Sequence, residues 1–366
     1  MPDQDPGGPS PAHTPAGYDG AVDHYTSPAR RDAVKRLWEE PASRRVLDHA
    51  LGQLPELPSV RVLDVGCGTA DGLALLRSTP AWRRRHAAGA ELRYVGLDLD
   101  ERLLQVARER HANDGAVSFA HGDVRAGLPV EDSDLYLSSG VPYSHLTPQE
   151  LELALTGILR AARSRPHPVA VVVDVLGRYS IEWTTRWSQR RWDYRMSFFR
   201  SDRDAPSTAM TCYSGEELRA TVRRAAERAD CLLSRVDSAD RSVFVGRHTS
   251  TGEYTQGLAP YRELVNALTD PSVRVDLDRL HFGLELPDAP EEIHEFFAAF
   301  GAAWNGLVEQ ATRAESAADD PDVVAGELQP QLADRLCRLE ADHQRGLGVG
   351  HSLTAVAVTR DPAGPA

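Results

Sequence analysis

The sequence predicts an α/β protein in which a mostly parallel sheet carries helices on both faces, with a helical block added to it. Three observations carry this. Between residue 60 and about residue 180, strand-like apolar runs alternate with helical patterns, the order that a parallel sheet with crossover helices requires. The first run, VRVLDVGCGTADG from Val60 to Gly72, passes straight into three glycines, so something approaches this backbone too closely to admit side chains. From about 255 to 348 the pattern is helical, and HSLTAVAVT from His351 then returns to a strand pattern.

The elements follow in order. Residues 1–17, MPDQDPGGPSPAHTPAG, are rich in proline and glycine and lack the basic and apolar regions of a signal peptide, so they read as a disordered leader. Candidate strands are VRVLDVG from Val60, LRYVGLDL from Leu92, AVSFAHGD from Ala116, DLYLSSGV from Asp134 and PVAVVVDV from Pro168. Between them, Leu103, Leu104 and Ala107 share one face of a helix. Thr147, Pro148 and Glu150 match an N-cap, an N1 proline and a capping-box acid, and Ser214 with Glu217 repeats the pattern. CLLSRVD and RSVFVGRH read as further strands. In the helical block, Ile293, Phe297, Phe300, Trp304 and Leu307 form one apolar stripe and Leu332, Leu336 and Leu339 another; core packing, a lid over the site or a homodimer seam would each bury them. The division expected is a core of residues 59–250 plus 351–361, interrupted by a helical insertion at 255–348. In the competing reading, residues 231–248 already form the closing hairpin and the block is a C-terminal addition.

Composition narrows the function. The chain has 366 residues, a hydrophobic fraction of 41% and charged residues at 26%, with no apolar run of the ~20 residues that a bilayer span needs. A cytoplasmic location without membrane association is expected. Cys67, Cys212, Cys231 and Cys337 lie far apart, which suits reduced thiols and gives no zinc spacing, so no metal is expected. A net charge of −13 argues against a broad phosphate-binding surface and for a small-molecule partner rather than nucleic acid. Lys35 is the only lysine beside abundant arginine, a usage that points to a GC-rich genome rather than to chemistry.

The chemistry gathers at strand tips. Gly66 and Gly68 do not continue into the G-x-G-x-x-G of a dinucleotide cradle. Instead Asp98 ends the second strand, placed to accept ribose hydroxyls; Asp123 follows the third, placed to accept an adenine amino proton while Val124 packs on the ring; and Asp64 ends the first, placed to meet an ammonium group. Taken together and in this order, VLDVGCGTADG, YVGLDLD, AHGDV and DLYLSSGVPYSHL resemble the class I S-adenosylmethionine-dependent methyltransferases, with their Rossmann-like fold, across roughly residues 55 to 180. The resemblance implies seven strands with the last antiparallel, and S-adenosylmethionine as cofactor. It implies Gly66, Gly68 and Asp64 against the methionine part, Asp98 on the ribose, Asp123 and Val124 around the adenine, and Ser139, Gly140 and Val141 beside the sulfonium. Residues 18–58 resemble the N-terminal helical lid of small-molecule members, which would set Tyr18 and Tyr25 over the sulfonium. Cys67 reads as a small filler.

Methyl transfer from a sulfonium asks the protein for alignment and dryness, and for a base only where the acceptor keeps its proton. Tyr143 and His145 in SSGVPYSHL are the catalytic candidates, His145 as general base; a local hydrogen bond is the structural alternative. GRYSIEWTTRWSQRRWDYRMSFFR, from Gly177, interleaves aromatic residues with arginines. It suits an anionic small molecule, RNA stacking or an amphipathic helix. Arg178, Trp183 and Trp187, with His281 and His294 from the helical block, are the acceptor-binding candidates. The expected activity is methylation of a small organic acceptor, at oxygen, in a secondary-metabolite pathway. The alternatives are an N- or C-methyltransferase, a protein or RNA methyltransferase, or a non-catalytic cofactor-binding scaffold.

Overall fold

The computed structural model describes residues 27, 30–196, 207–318 and 323–360; the leader, Tyr18 and Tyr25 lie outside the described residues. A π-helical turn at Lys35–Glu39 runs into α1 (Glu40–Gly52). There follow β1 (Ser59–Val65), α2 (Asp71–Arg77), α3 (Pro80–Ala87), β2 (Glu91–Asp98), α4 (Glu101–Arg110), β3 (Val117–His121), β4 (Leu135–Leu137), α5 (Pro148–Arg163) and β5 (Ala170–Gly177). A hairpin of β6 (Arg191–Arg195) and β7 (Ser207–Tyr213) precedes α6 (Gly215–Arg228) and β8 (Leu233–Arg241). Helices α7 (Tyr261–Leu268), α8 (Glu291–Ser316) and α9 (Gln329–Asp342) lead to β9 (Ser352–Thr359).

The main path of the sheet is β3-β2-β1-β4-β5-β9-β8, parallel through β5. Strand β9 runs antiparallel to both neighbours, with Ala170 opposite Val358 and Leu176 opposite Ser352. These are the seven strands expected. The hairpin is an addition: β7 joins the sheet only at Leu176 and Gly177, the last two residues of β5.

Alternation with period two sorts the side chains into two layers. Val60, Val62, Ala170, Val172, Val356 and Val358 pack with Leu47, Leu51, Leu73, Leu76 and Trp82 from α1 to α3. Their neighbours Leu63, Val65, Val171, Val173, Val175, Leu353, Ala355 and Ala357 pack with α5 and α6 on the other face. Covered on both sides, β5 and β9 are buried at every residue, which is why both read as continuous apolar runs. Both expected capping boxes are formed, Thr147 with Glu150 at α5 and Ser214 with Glu217 at α6.

A third core joins α7, α8 and α9 to the hairpin and to the end of β5, and it takes in Ile293, Phe297, Phe300, Trp304, Leu332 and Leu336. Both apolar stripes thus pack inside the chain, with Leu307 and Leu339 half-buried at their edges. Two sequence expectations change here. DLYLSSGV supplies only a three-residue strand, because the chain leaves the sheet at Ser138 to make the turn described below. RSVFVGRH is not a strand beyond Arg241: Val243, Phe244 and Val245 are fully buried, but the amides of Val243 and Phe244 donate to the Glu340 carboxylate rather than to a ladder.

Candidate active site

The order of the strands reverses between β1 and β4, and the carboxyl edge at such a switch point is where open α/β folds bind ligands. A cavity of about 690 Å³ lies there, within the usual range of roughly 300–1,000 Å³ for ligand pockets. It is lined by Gly66, Gly68, Asp98, Asp123, Val124, Ser139 and Gly140, all of them cofactor-site residues expected from sequence, and by Tyr143 and His145.

The glycine turn is held by backbone geometry. Gly66 and Gly68 take φ of +70° and +53°, where a Cβ is unfavourable. The Gly66 amide donates to the Leu97 carbonyl at 2.8 Å, and the Gly68 amide donates to Asp98 Oδ2 at 2.8 Å. A Cβ on Gly66 would lie 2.3 Å from Pro142 Cβ, whereas one on Gly68 would meet nothing within 4 Å. Asp98 Oδ1 accepts from the Asp100 amide at 2.9 Å, so both oxygens are oriented by backbone amides, with part of the carboxylate's accepting capacity left over. Burial raises the Asp98 carboxyl above its ordinary value.

Asp64 is placed differently from the expectation. Its carboxylate is buried, does not line the cavity, and accepts from the Tyr94 hydroxyl at 2.6 Å; Oδ1 accepts no hydrogen bond. Burial, reinforced by Asp98 and Asp71 and opposed by Tyr94, pushes this carboxyl up to about 7. Asp123 does line the cavity, but Arg125 grips it through Nε at 2.8 Å and Nη2 at 2.6 Å. Arg125 Nη1 also donates to Glu150 at 2.6 Å, tying this wall to the capping box of α5. Cys67 is buried, and burial raises its thiol far above the ordinary range, which removes it as a nucleophile.

After β4 the chain turns through Gly140 (φ +84°) and Val141 (φ +60°) into a 3₁₀ turn at Pro142–His145. Asp174 of β5 fixes the turn by accepting the amides of Gly140 and Val141 at 2.8 and 3.2 Å. Val141 packs against the third core instead of lining the cavity. Tyr143 is buried, which raises its phenol. Burial, with the Arg191 guanidinium nearby, lowers His145 to about 4. His145 is therefore neutral at pH 7 and a weak base, too weak to draw a proton from an alcohol efficiently.

The acceptor-binding candidates do not reach the cavity. Trp183 and Trp187 are buried in the third core and donate from Nε1 to the carbonyls of Gly177 and Ser180 at 3.0 and 2.8 Å. Arg178 is held by Glu217 and the Trp187 carbonyl. Through Met196 the segment is a 3₁₀ turn followed by a hairpin strand, and Tyr179, Trp183, Trp187, Trp192 and Tyr194 are buried in the third core, so among the described residues these aromatic side chains expose no stacking surface for RNA. His281 and His294 lie on the exposed surface. Among the described residues, none from 255–348 lines the cavity.

Part of the lining comes from the N-terminal segment expected as a lid, through residues that were not singled out from sequence. Ser27, Arg30, Arg31, Lys35, Glu40, Ser43 and Arg44 line the cavity from this segment, and Arg241 from the end of β8. The π-helical turn, marked by the Glu40 amide donating to the Lys35 carbonyl, slips the helix by one residue, so that Lys35 and Glu40 face the cavity together. Among the described residues, no group of three or more His, Cys, Asp and Glu is placed to hold a metal ion, and no helix is long and apolar enough to cross a membrane.

Comparison with known proteins agrees with this geometry. Residues 62–165 match a family model described as a methyltransferase domain. A fatty-acid O-methyltransferase of Mycolicibacterium smegmatis is 32% identical over 140 residues, which is 37% of this chain and 45% of that protein; the chain thus spans less than half the length of the curated relative it matches. Among solved structures, an S-adenosylmethionine-dependent methyltransferase from Clostridium acetobutylicum aligns over 61% of this chain and 90% of its own at 12% identity, with a TM-score of 0.38. A putative methyltransferase from Haloferax volcanii, in complex with a Trm112 methyltransferase activator, aligns over 96% and 98% at 16% identity, with a TM-score of 0.42. Residues 62–165, which carry the glycine turn, β2, β3 and β4, thus match a methyltransferase domain, and in strand order and glycine turn they resemble the class I S-adenosylmethionine-dependent methyltransferases.

Proposed function

We propose that this protein methylates an oxygen atom of a small organic molecule, with S-adenosylmethionine as donor. The observation that carries the reading is the open space over Gly68 in a cavity that Asp98 also lines: a cradle that a Cβ would fill, next to a carboxylate with lone pairs to spare. The residues present fit the donor. The Gly66–Gly68 turn takes its methionine part, Asp98 the ribose hydroxyls and Val124 the adenine face, while Ser139 and Gly140 border the sulfonium. The unpartnered Oδ1 of Asp64 suits an ammonium group reached through water, since Asp64 itself does not line the cavity. Arg125 saturates Asp123, so its part is to fix this wall rather than to take the adenine amino group alone.

Bound there, the donor supplies a methyl group on a positively charged sulfur. The chain's own residues align the acceptor, exclude water and balance charge, and the depressed His145 leaves little room for general-base catalysis. Oxygen as the acceptor atom is supported by the O-methyltransferase among the relatives. A small acceptor is supported by the inward-facing aromatic residues of the 177–195 stretch, which present no stacking platform. The deciding experiment incubates the purified protein with labelled donor and cell extract, untreated or treated with nuclease or protease. Label in a small-molecule fraction, resistant to both treatments, is expected. Label lost to nuclease or protease refutes the reading, and donor binding without any turnover makes the domain a scaffold.

A further inference from the structure

We propose that the helical block serves the donor site at one remove: Arg262 and Asn266 of α7 are positioning residues that fasten the stretch from Arg30 to Lys35 across the cavity and so retain the donor in it. The inference rests on the methyltransferase reading and adds what keeps that same site closed. Among the described residues none of 255–348 lines the cavity, but Arg30, Arg31 and Lys35 do. Arg30 Nη1 reaches to 3.7 Å from Asp71 Oδ2, at the start of the helix that follows the glycine turn, so this stretch stands over the donor's expected place.

The stretch is held by bonds from far along the chain. Its helix opens at Ala33, and the first amides of a helix need partners from outside it. Asp32 Oδ1 accepts the Lys35 amide at 2.8 Å. The Val34 amide donates instead to Asn266 Oδ1 at 2.9 Å, a side chain 232 residues on. Asn266 Nδ2 in turn donates to Asp32 Oδ2 at 3.1 Å, and Arg262 grips the same carboxylate, with Nε on Oδ2 at 2.8 Å and Nη2 on Oδ1 at 2.9 Å. Of the four hydrogen bonds that described residues give the Asp32 carboxylate, three thus come from α7. Arg262 Nη1 continues to Glu39 Oε1 at 2.7 Å, at the end of the π-helical turn, and Arg247 Nη2 adds a tie from outside the block, donating to the Arg30 carbonyl at 2.8 Å.

The third core brings α7 to this place. Tyr261, Leu264, Val265 and Leu268 are buried in it together with Val34 and Trp38 of the N-terminal helix, and Arg262 and Asn266, one helical turn apart, meet the start of that helix. A two-pronged guanidinium–carboxylate pair sets orientation as well as distance, and the asparagine fixes the register by taking one backbone amide. Enclosure then follows from linkage: a donor covered by this stretch favours the fastened position, and the fastening favours the donor by the same factor. The block also holds a matched grip that leaves the site alone. Asn305 accepts the Phe282 amide at 2.7 Å and donates to the Phe282 carbonyl at 2.8 Å, both within the block.

The test compares the full chain with Asn266→Ala, Asn266→Asp, Arg262→Lys and the control Asn305→Ala. Surface plasmon resonance reads S-adenosylhomocysteine release, and amide hydrogen exchange reads the peptide that holds Val34 and Lys35, with and without S-adenosylhomocysteine. In the parent, S-adenosylhomocysteine should slow exchange in that peptide. Both Asn266 variants should exchange it faster and release S-adenosylhomocysteine roughly tenfold faster, as expected for two lost hydrogen bonds, with the aspartate the worse because its carboxylate meets Asp32. Arg262→Lys, which keeps the charge and loses the fork, should act in the same direction. Asn305→Ala should lower the melting temperature and leave release unchanged, which separates positioning from general loosening of the block. Unchanged release in both Asn266 variants, equal acceleration by Asn305→Ala, or exchange that S-adenosylhomocysteine does not slow overturns the proposal. Failure of the parent to bind S-adenosylhomocysteine would instead overturn the methyltransferase reading beneath it.

Discussion

The two glycines of the first turn are expected to fail in opposite ways when a methyl group is added. Both sit in the left-handed region, where an L-residue costs about 1–2 kcal/mol, of which roughly 0.4–1 is returned by the stiffer unfolded chain. For Gly68→Ala that is nearly the whole effect on folding, because the new Cβ meets no protein atom within 4 Å. Gly66→Ala adds a collision, at 2.3 Å from Pro142 Cβ and 2.9 Å from Cγ. The proline ring cannot swing aside without moving the turn that Asp174 holds, and overpacking of this kind costs about 1–3 kcal/mol more. Urea unfolding should therefore show Gly66→Ala less stable by about 2–4 kcal/mol and Gly68→Ala by about 1 kcal/mol or less. Calorimetric titration with S-adenosylhomocysteine should show the reverse ranking of direct damage: the Gly68 variant, well folded, loses most of its affinity because the methyl projects into the space the ligand needs. Equal destabilisation of the two variants, or a Gly68→Ala protein that binds like the parent, refutes the reasoning.

Two further outcomes are expected. Asp98→Asn should weaken S-adenosylhomocysteine binding by roughly 1–3 kcal/mol in the same titration, since it places an amide NH₂ against one of the two backbone N–H groups the carboxylate accepts and removes the charge. Burial holds His145 and His248 neutral, lowered to about 4 and about 3, so below pH 6.5 the unfolded chain takes up protons that the folded chain refuses; stability should fall from pH 6.5 to about 4, and His145→Gln should shrink that fall in denaturation curves measured across this window.

What the sequence disclosed were the features set by local backbone demands. The glycines at positive φ, Asp98 at its strand tip and the two capping boxes each need a particular residue at a fixed short spacing, so each leaves a legible trace. The apolar runs of β5 and β9 were legible for a similar reason, as only a doubly covered strand reads that way. Trp183 and Trp187 misled, because aromatic residues interleaved with arginines look alike whether a binding surface or a packed hairpin will form; α8 decides it, and α8 lies a hundred residues on. His145 looked like a base because neither its burial nor the Arg191 beside it has any local signature. Lys35 and Arg241 meet only through the sheet. The available hint was a lone lysine four residues before an acid, in a helix that buries Trp38, and its rarity invited a compositional explanation instead.

The place of β9 has a consequence for how the chain reaches this structure. Residues 352–359 lie between β5 and β8, pairing with both along their length, so neither can be sealed until that stretch has been synthesised. Until then the nascent chain exposes the unpaired edge of β5, a strand of valines, alanine and leucine with only one charged residue, and the layer under α5 and α6 lacks Leu353, Ala355 and Ala357. Such an edge invites pairing with another chain, and the nascent chain stays in that condition from the completion of β5 until β9 has been made. Ribosome-bound chains stalled before His351 should accordingly be open to protease and prone to associate, and release of the last strand should close the sheet in a single cooperative step.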